Sequence, residues 1–103
     1  MPDYKVILLS PAREDLFGIA EYHLHMVGPE SAERITDQLL DQVDHLGAHP
    51  FMGNLHDDPM LAGQSYRKLV CGKYICVYRV IEQEVYIYRI VYGATDYPKF
   101  FRP

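Results

Sequence analysis

The chain has little of what would mark a special class of protein. Its two cysteines, Cys71 and Cys76, are too few for a disulfide framework, and their spacing alone supplies too few ligands for a zinc site. Both are read as buried, reduced thiols. No apolar run approaches the roughly 18 residues that a membrane span needs. The opening Met1-Pro2-Asp3-Tyr4-Lys5-Val6 lacks the apolar stretch of a secretory signal, so a cytoplasmic location with no membrane partner is expected. Repeats and low-complexity stretches are also missing, so the 103 residues are expected to form one domain, 1–103, around a single core. No cofactor is implied. His45 and His49 have ligand spacing, but Gly47 and Pro50 are expected to end the helix between them, so no metal site is expected. Positive charge is scarce in residues 1–65, where three basic side chains face eleven acidic ones, a balance of −8.

The cations are in the other third. Residues 66–103 hold seven basic side chains (Arg67, Lys68, Lys73, Arg79, Arg89, Lys99 and Arg102) against three acidic ones, a balance of +4. A protein that coats nucleic acid would be basic throughout. A basic segment on an acidic chain instead suits an anionic partner met through one patch.

Three runs in that segment read as strands: Tyr66–Cys71, Tyr74–Ile81 and Val85–Tyr92, separated by Gly72-Lys73 and Glu82-Gln83-Glu84. β-Branched and aromatic residues bounded by short turns predict an antiparallel meander. Upstream, Tyr4–Leu9 fits a first strand. Ser10-Pro11 then signals a helix start, with Ser10 as cap and Glu14 and Asp15 complementing the dipole. Ala12, Leu16, Ile19, Ala20, His23 and Val27 make its buried stripe. Gly28-Pro29 opens a second helix, with Ala32, Ile35, Leu39, Val43 and Leu46 inward and Gly47 as its stop. The short connection predicts a helical hairpin. Residues 48–65 read as a long loop in which Asp57-Asp58 is a solvated turn. The fold class is therefore α+β, in the order β-α-α-β-β-β, with a helical hairpin on one face of an antiparallel sheet.

Pairing Ile81 with Glu84 puts Ile75, Val77, Arg79 and Ile81 on one face with Tyr86, Tyr88, Ile90 and Tyr92. Tyr74, Cys76, Tyr78 and Val80 then share the other with Val85, Ile87, Arg89 and Val91. Both faces are too apolar for water and one hairpin covers only one of them, so a partner is expected on the open face.

Five features, taken in order, carry a resemblance. They are His49-Pro50-x-Met52-Gly53 after the second helix, Tyr66-Arg67-Lys68, Val77-Tyr78-Arg79-Val80, the exit strand Arg89-Ile90-Val91-Tyr92-Gly93, and the element order itself. Together they resemble the RelE/ParE superfamily, the toxins of bacterial type II toxin–antitoxin modules, over Tyr4 to Phe101. The resemblance implies growth arrest, a role in plasmid or chromosome stabilisation, and neutralisation by a cognate antitoxin in a hetero-oligomer.

RelE-like members cut messenger RNA on the ribosome, whereas ParE-like members inhibit DNA gyrase and replication. RNA cleavage needs cations around a charged phosphorane and a proton donor for the leaving oxygen. Many relatives carry Arg-Arg-Asp after the last strand, and here Ala94-Thr95-Asp96 stands instead. Loss of one such stabilising group costs about two to three orders of magnitude in rate. Phe100 and Phe101, near the place of a C-terminal tyrosine, transfer no proton. The reading is thus closer to ParE: a binding toxin with no firm catalytic residue, whose partners are an antitoxin and DNA gyrase. An endoribonuclease acting with ribosome and mRNA is the alternative, using Arg67, Lys68, Lys73 and Arg79 with Tyr97 as acid. A non-toxic regulatory protein on the same fold is the other.

For antitoxin or target binding the candidates are Arg67, Arg79, Arg89, Tyr97, Lys99, Phe100 and Phe101. Each has a bland counterpart. Arg67 and Lys68 could be a solvated edge, and Arg79 could stack on Tyr86. Arg89, inside an apolar strand, needs an intramolecular carboxylate, and the aromatic tail could fold back on the sheet.

Overall fold

Strand β1 (Lys5–Leu8) feeds helix α1 (Ser10–Met26), and α2 (Pro29–His45) returns beside it. Then come β2 (Asn54–Leu55), a short α3 (Pro59–Gly63), the meander β3 (Arg67–Cys71), β4 (Tyr74–Ile81) and β5 (Glu84–Tyr92), and a C-terminal 3-10 turn, Tyr97–Phe101. The computed structural model describes residues 3–102. Met1 and Pro2 of the opening segment and Pro103 of the tail lie outside them.

The meander and the helical hairpin are as expected, and the long loop is not. Residues 48–65 contribute a fifth strand, β2, and a helix whose first turn is capped by Asp58, which accepts the N–H groups of Met60 and Leu61 at 3.0 and 3.2 Å. Asp58-Pro59 is a cap followed by proline at the first helical position, the same signal that was read at Ser10-Pro11. At α1 itself, Ser10 lies inside the helix, and its hydroxyl accepts from Arg13 instead of capping. Val27 follows the helix end and is exposed.

The sheet order is β1-β5-β4-β3-β2. β1 joins parallel to β5, with Lys5 opposite Glu84 and Leu8 opposite Ile87, so the five-stranded sheet is mixed. Gly47 is buried where β1 begins. It accepts the Tyr4 N–H at 2.8 Å, and a Cβ there would stand 3.1 Å from the Tyr4 carbonyl oxygen.

Ile81 does face Glu84, but the face assignment fails beyond Ile87. Val77 is opposite Arg89 and Tyr78 opposite Ile87, which leaves Tyr88 as the extra residue of a bulge. One inserted residue reverses the alternation. Ile90 therefore pairs with Cys76 on the helix side, and Val91 pairs with Ile75 on the far side.

Two cores result, one on each face of the sheet. Ala12, Leu39, Val43 and Leu46 of the helices meet Cys76, Tyr78, Val85, Ile87 and Ile90. On the far face Leu61, Tyr66, Ile75, Val77, Val91 and Tyr97 pack together, with Met60, Tyr88 and Phe101 against them. The face expected to await a partner is thus covered by the chain's own α3 and C-terminal turn. Both cysteines are free and buried. Burial pushes the Cys71 thiol up to about 11 and the Cys76 thiol further up, so neither is a thiolate near neutrality.

Candidate functional site

The sequence-predicted residues gather along the meander and the C-terminal turn, and most of them are already engaged within the chain. Arg67, half-buried on β3, donates Nε–H to the Gly53 carbonyl at 2.9 Å and lies 5.1 Å from the Phe51 ring centre. The same turn is pinned from β4. The buried Tyr78 hydroxyl accepts the Gly53 N–H at 2.9 Å and donates to the Pro50 carbonyl at 2.9 Å. The Pro50–Gly53 turn is therefore held by two side chains of the meander. Phe51 and Met52 are left exposed at its tip.

Arg79 crosses the far face. Its guanidinium lies between Tyr66 and Tyr88, 4.8 and 4.9 Å from their ring centres, and Nε donates to the Tyr88 hydroxyl at 3.0 Å. Tyr86, the expected stacking partner, instead donates its hydroxyl to Glu84 at 2.7 Å. Strand alternation puts Tyr86 on the face of Arg79, and it is opposite Arg79, but Tyr88 at the bulge is the ring that reaches the guanidinium. Arg79 keeps a half-exposed edge and meets no carboxylate among the described residues.

Arg89 has the carboxylate that its position demanded. Asp15 of α1 accepts from Nε at 2.7 Å and from Nη2 at 2.9 Å, a two-point pair, and also takes the Ile90 N–H at 2.9 Å. β1 ends opposite Ile87, so beyond it the edge of β5 faces α1, and Asp15 occupies the place of a missing strand partner. Phe100 lies 4.7 Å over the Arg89 guanidinium. Between α1 and this edge runs a groove of about 760 Å³ lined by Asp15, Ile19, Tyr22, Ile90, Tyr92 and Phe100.

Lys68 bonds Asp57 at 2.8 Å, and Arg102 approaches Asp58 at 3.9 Å. The Asp57-Asp58 turn is thus one carboxylate for a sheet lysine and one helix cap. Tyr97 is 7% exposed, its hydroxyl is 2.8 Å from His56 Nε2, and burial pushes its pKa up. Phe101 packs edge-on against Tyr66 at 5.0 Å between centres. Lys73 at the β3–β4 turn, Lys99 and Phe100 remain exposed. His56, the one buried polar side chain among the described residues, went unread in the sequence. Its only signal was a histidine just before an acidic pair and a helix cap.

Chemically, these residues offer two framed guanidinium groups, an exposed aromatic surface, two lysines without an ion pair among the described residues and, between α1 and β5, an apolar groove. They do not bring a proton donor and several unpaired cations to one point. Arg67, Lys73, Arg79 and Lys99 carry no ion pair among the described residues. They are dispersed over the turn, the β3–β4 end, the far face and the tail. No cluster of three or more metal-binding side chains occurs among the described residues, and no helix there is long and apolar enough to cross a membrane.

The chain is thus a helical hairpin against one face of a mixed five-stranded sheet, in the order β-α-α-β-α-β-β-β. The sequence profile described as "ParE toxin of type II toxin-antitoxin system, parDE" matches residues 6–97, and the chain belongs to that family. Among solved structures it is similar to the chromosomal ParDE system from P. aeruginosa. That match has a TM-score of 0.74 and 24% identity, and covers 86% of this chain and 95% of that one. It is also similar to the RelBE2 toxin–antitoxin complex from Mycobacterium tuberculosis, with a TM-score of 0.63 and 24% identity, covering 87% of this chain and 98% of that one. At that identity these likenesses speak to the fold. A search of curated proteins finds no match.

Proposed function

We propose that this toxin acts in the cytoplasm by binding DNA gyrase, without cleaving a bond, and that a cognate antitoxin neutralises it by covering the same surface. One observation carries the reading. Lys68 and Arg89 are committed to carboxylates, Arg67 to a backbone carbonyl and Arg79 to a tyrosine pair, while Tyr97, the candidate acid, is buried on His56. Phosphoryl chemistry needs free cations and an acid converging on one atom. A binding toxin needs only a shaped, charged surface.

Contact falls to the members of the set that keep accessible surface. Lys99 and Phe100 present a cation and a ring beside the groove, and Arg67 with Phe51 presents a second such pair. Arg89, Tyr97 and Phe101 act by positioning, since Arg89 carries Phe100 and the other two seat the C-terminal turn.

The test is expression of the chain alone, paired with a supercoiling assay on purified gyrase. Filamentation, DNA damage signalling and loss of supercoiling are expected while translation continues. Immediate arrest of protein synthesis with cleavage of ribosome-bound messenger would establish the endoribonuclease reading instead. Normal growth with folded protein present would remove both.

A further inference from the structure

The outer side of the helical hairpin carries apolar side chains that neither core uses. Phe17 and Leu24 of α1 fall outside that helix's inward stripe and are 78% and 45% exposed, and Leu40 of α2 is 41% exposed. Phe17, Ala20, Leu24 and Ala32 line one shallow hollow of about 440 Å³. Ala32, Thr36 and Leu40 follow one another at four-residue spacing, so they share one side of α2. α2 runs back along α1, and Leu40 lies about two turns from Ala32 as Phe17 lies about two turns from Leu24. An apolar seam therefore runs between the helices, from Phe17 and Leu40 to the exposed Val27 at the hairpin's turn. α1 shows Asp15, Ile19 and Tyr22 to the groove beside β5, so seam and groove are separate surfaces.

The rim of the seam is acidic. Glu21 of α1 and Glu30, Glu33, Asp37, Asp41 and Asp44 of α2 are exposed, and none joins an ion pair among the described residues. Against them α2 sets a single arginine, Arg34. Arg13 of α1 is turned to the Leu8 carbonyl and the Ser10 hydroxyl at the helix's start. This charge decides what can cover the seam. A second copy would set carboxylates against carboxylates, and nucleic acid or an anionic lipid surface would be repelled as well. A cationic protein segment is attracted. Backbone chemistry then selects its form. Packed helices have their own backbone groups paired, so a strand laid on them would bury unpaired N–H and C=O groups, whereas a helix brings its own satisfied. Two antiparallel helices also leave a lengthwise groove that the ridges of a third can enter.

We propose that the outer seam of the hairpin is a second docking surface, independent of the gyrase reading, and that it takes a cationic amphipathic helix of a partner protein. Apolar anchors at three- and four-residue spacing on that helix fill the seam between Phe17, Leu24 and Leu40. Lysine or arginine on its flanks meets Glu21 on one side and Glu33, Asp37 and Asp41 on the other. The charge steers the encounter and is screened by salt, while the apolar contact sets how long the helix stays.

The test uses the purified full chain and two designed helical peptides of about 18 residues. Both carry leucines at three- and four-residue spacing, and their polar positions are lysine in one and glutamate in the other. In fluorescence anisotropy at about 50 mM salt the lysine peptide is expected to bind about tenfold more tightly than the glutamate peptide, or better. Its affinity is expected to fall about tenfold by about 500 mM salt. Amide NMR shifts are expected at Phe17, Leu24, Thr36 and Leu40, and not along β5. Phe17→Ser and Leu40→Ser change exposed side chains and are expected to keep the fold while each weakens binding about fivefold or more. Reversing charge with Asp37→Lys and Asp41→Lys together is expected to erase the preference for lysine. No binding of the lysine peptide, equal binding of the two peptides, shifts centred on the β5 groove, or an affinity unchanged in Phe17→Ser overturns the proposal. So does a dimer of the chain that Phe17→Ser abolishes, which would give the seam to a second copy. Phe17-dependent binding to phosphatidylcholine vesicles overturns it too, by making the seam a lipid-facing surface.

Discussion

Tyr78 does more than pack. It is fully buried in the helix-side core, yet its hydroxyl closes a loop 25 positions away by bonding both Gly53 N–H and the Pro50 carbonyl. Gly53 is obligatory there because a Cβ would stand 2.6 Å from the Lys68 carbonyl oxygen and 2.8 Å from the Tyr78 hydroxyl. Backbone cannot yield as a flexible side chain does. Gly53→Ala is therefore expected to cost about 2 kcal/mol or more, as overpacking and a broken buried hydrogen bond combine. Urea unfolding measures it, and a midpoint within error of the parent would refute the clash. The motif around Gly53 was legible in the sequence, but its reason was not. Nothing local links a glycine in a turn to a tyrosine on a later strand. His56 was illegible in the same way, since its partner Tyr97 is 41 positions distant.

Among elements, β5 shows where periodicity stops being a guide. Strict alternation assigned every side chain of β4 correctly, and in β5 it held from Val85 to Ile87. Then Tyr88 enters as an extra residue, and Ile90 and Val91 exchange faces. A bulge leaves no mark in a run of β-branched and aromatic residues, because either face would accept them. Its consequence is large, since it turns Val91 to the far core and lets Tyr88 close on Arg79. Deleting Tyr88 leaves Ile90 opposite Cys76 and Val91 opposite Ile75, so its cost, expected at about 3 kcal/mol, is that of losing the ring packed on Tyr66 and Arg79. Thermal unfolding checks this, and an unchanged midpoint would mean that the bulge is dispensable. Element α3 was missed for a different reason. Five residues are too few to show a period, although the Asp58-Pro59 cap was there to be read.

For the whole molecule, the charge separation seen along the sequence does not survive folding. Three of the seven late cations meet carboxylates of the first 65 residues: Arg89 with Asp15, Lys68 with Asp57 and Arg102 with Asp58. The basic patch is reduced to scattered side chains on a chain of net charge −4. Binding to polyanions grows with the number of cations that can neutralise phosphates together. The purified toxin is thus expected to pass through a heparin column at about 150 mM salt and to give no single-stranded RNA complex below about 10 μM. Retention on heparin with tight RNA binding would restore the basic patch as a nucleic-acid surface. The sequence reported the total charge faithfully; only the fold could show which carboxylate faces which cation.

The parallel pairing of β1 with β5 also sets a timetable. Lys5 leaves the ribosome long before its partner Glu84. Such a pairing closes both helices and most of the meander into one loop, the kind of contact that slows folding. Neither core can be completed earlier, because Val85, Ile87 and Ile90 belong to one and Val91 and Tyr97 to the other. A chain truncated before β5 has no sheet edge for β1, no seat for Asp15 and no far core. Folding of this domain therefore waits for β5 and the turn that follows it.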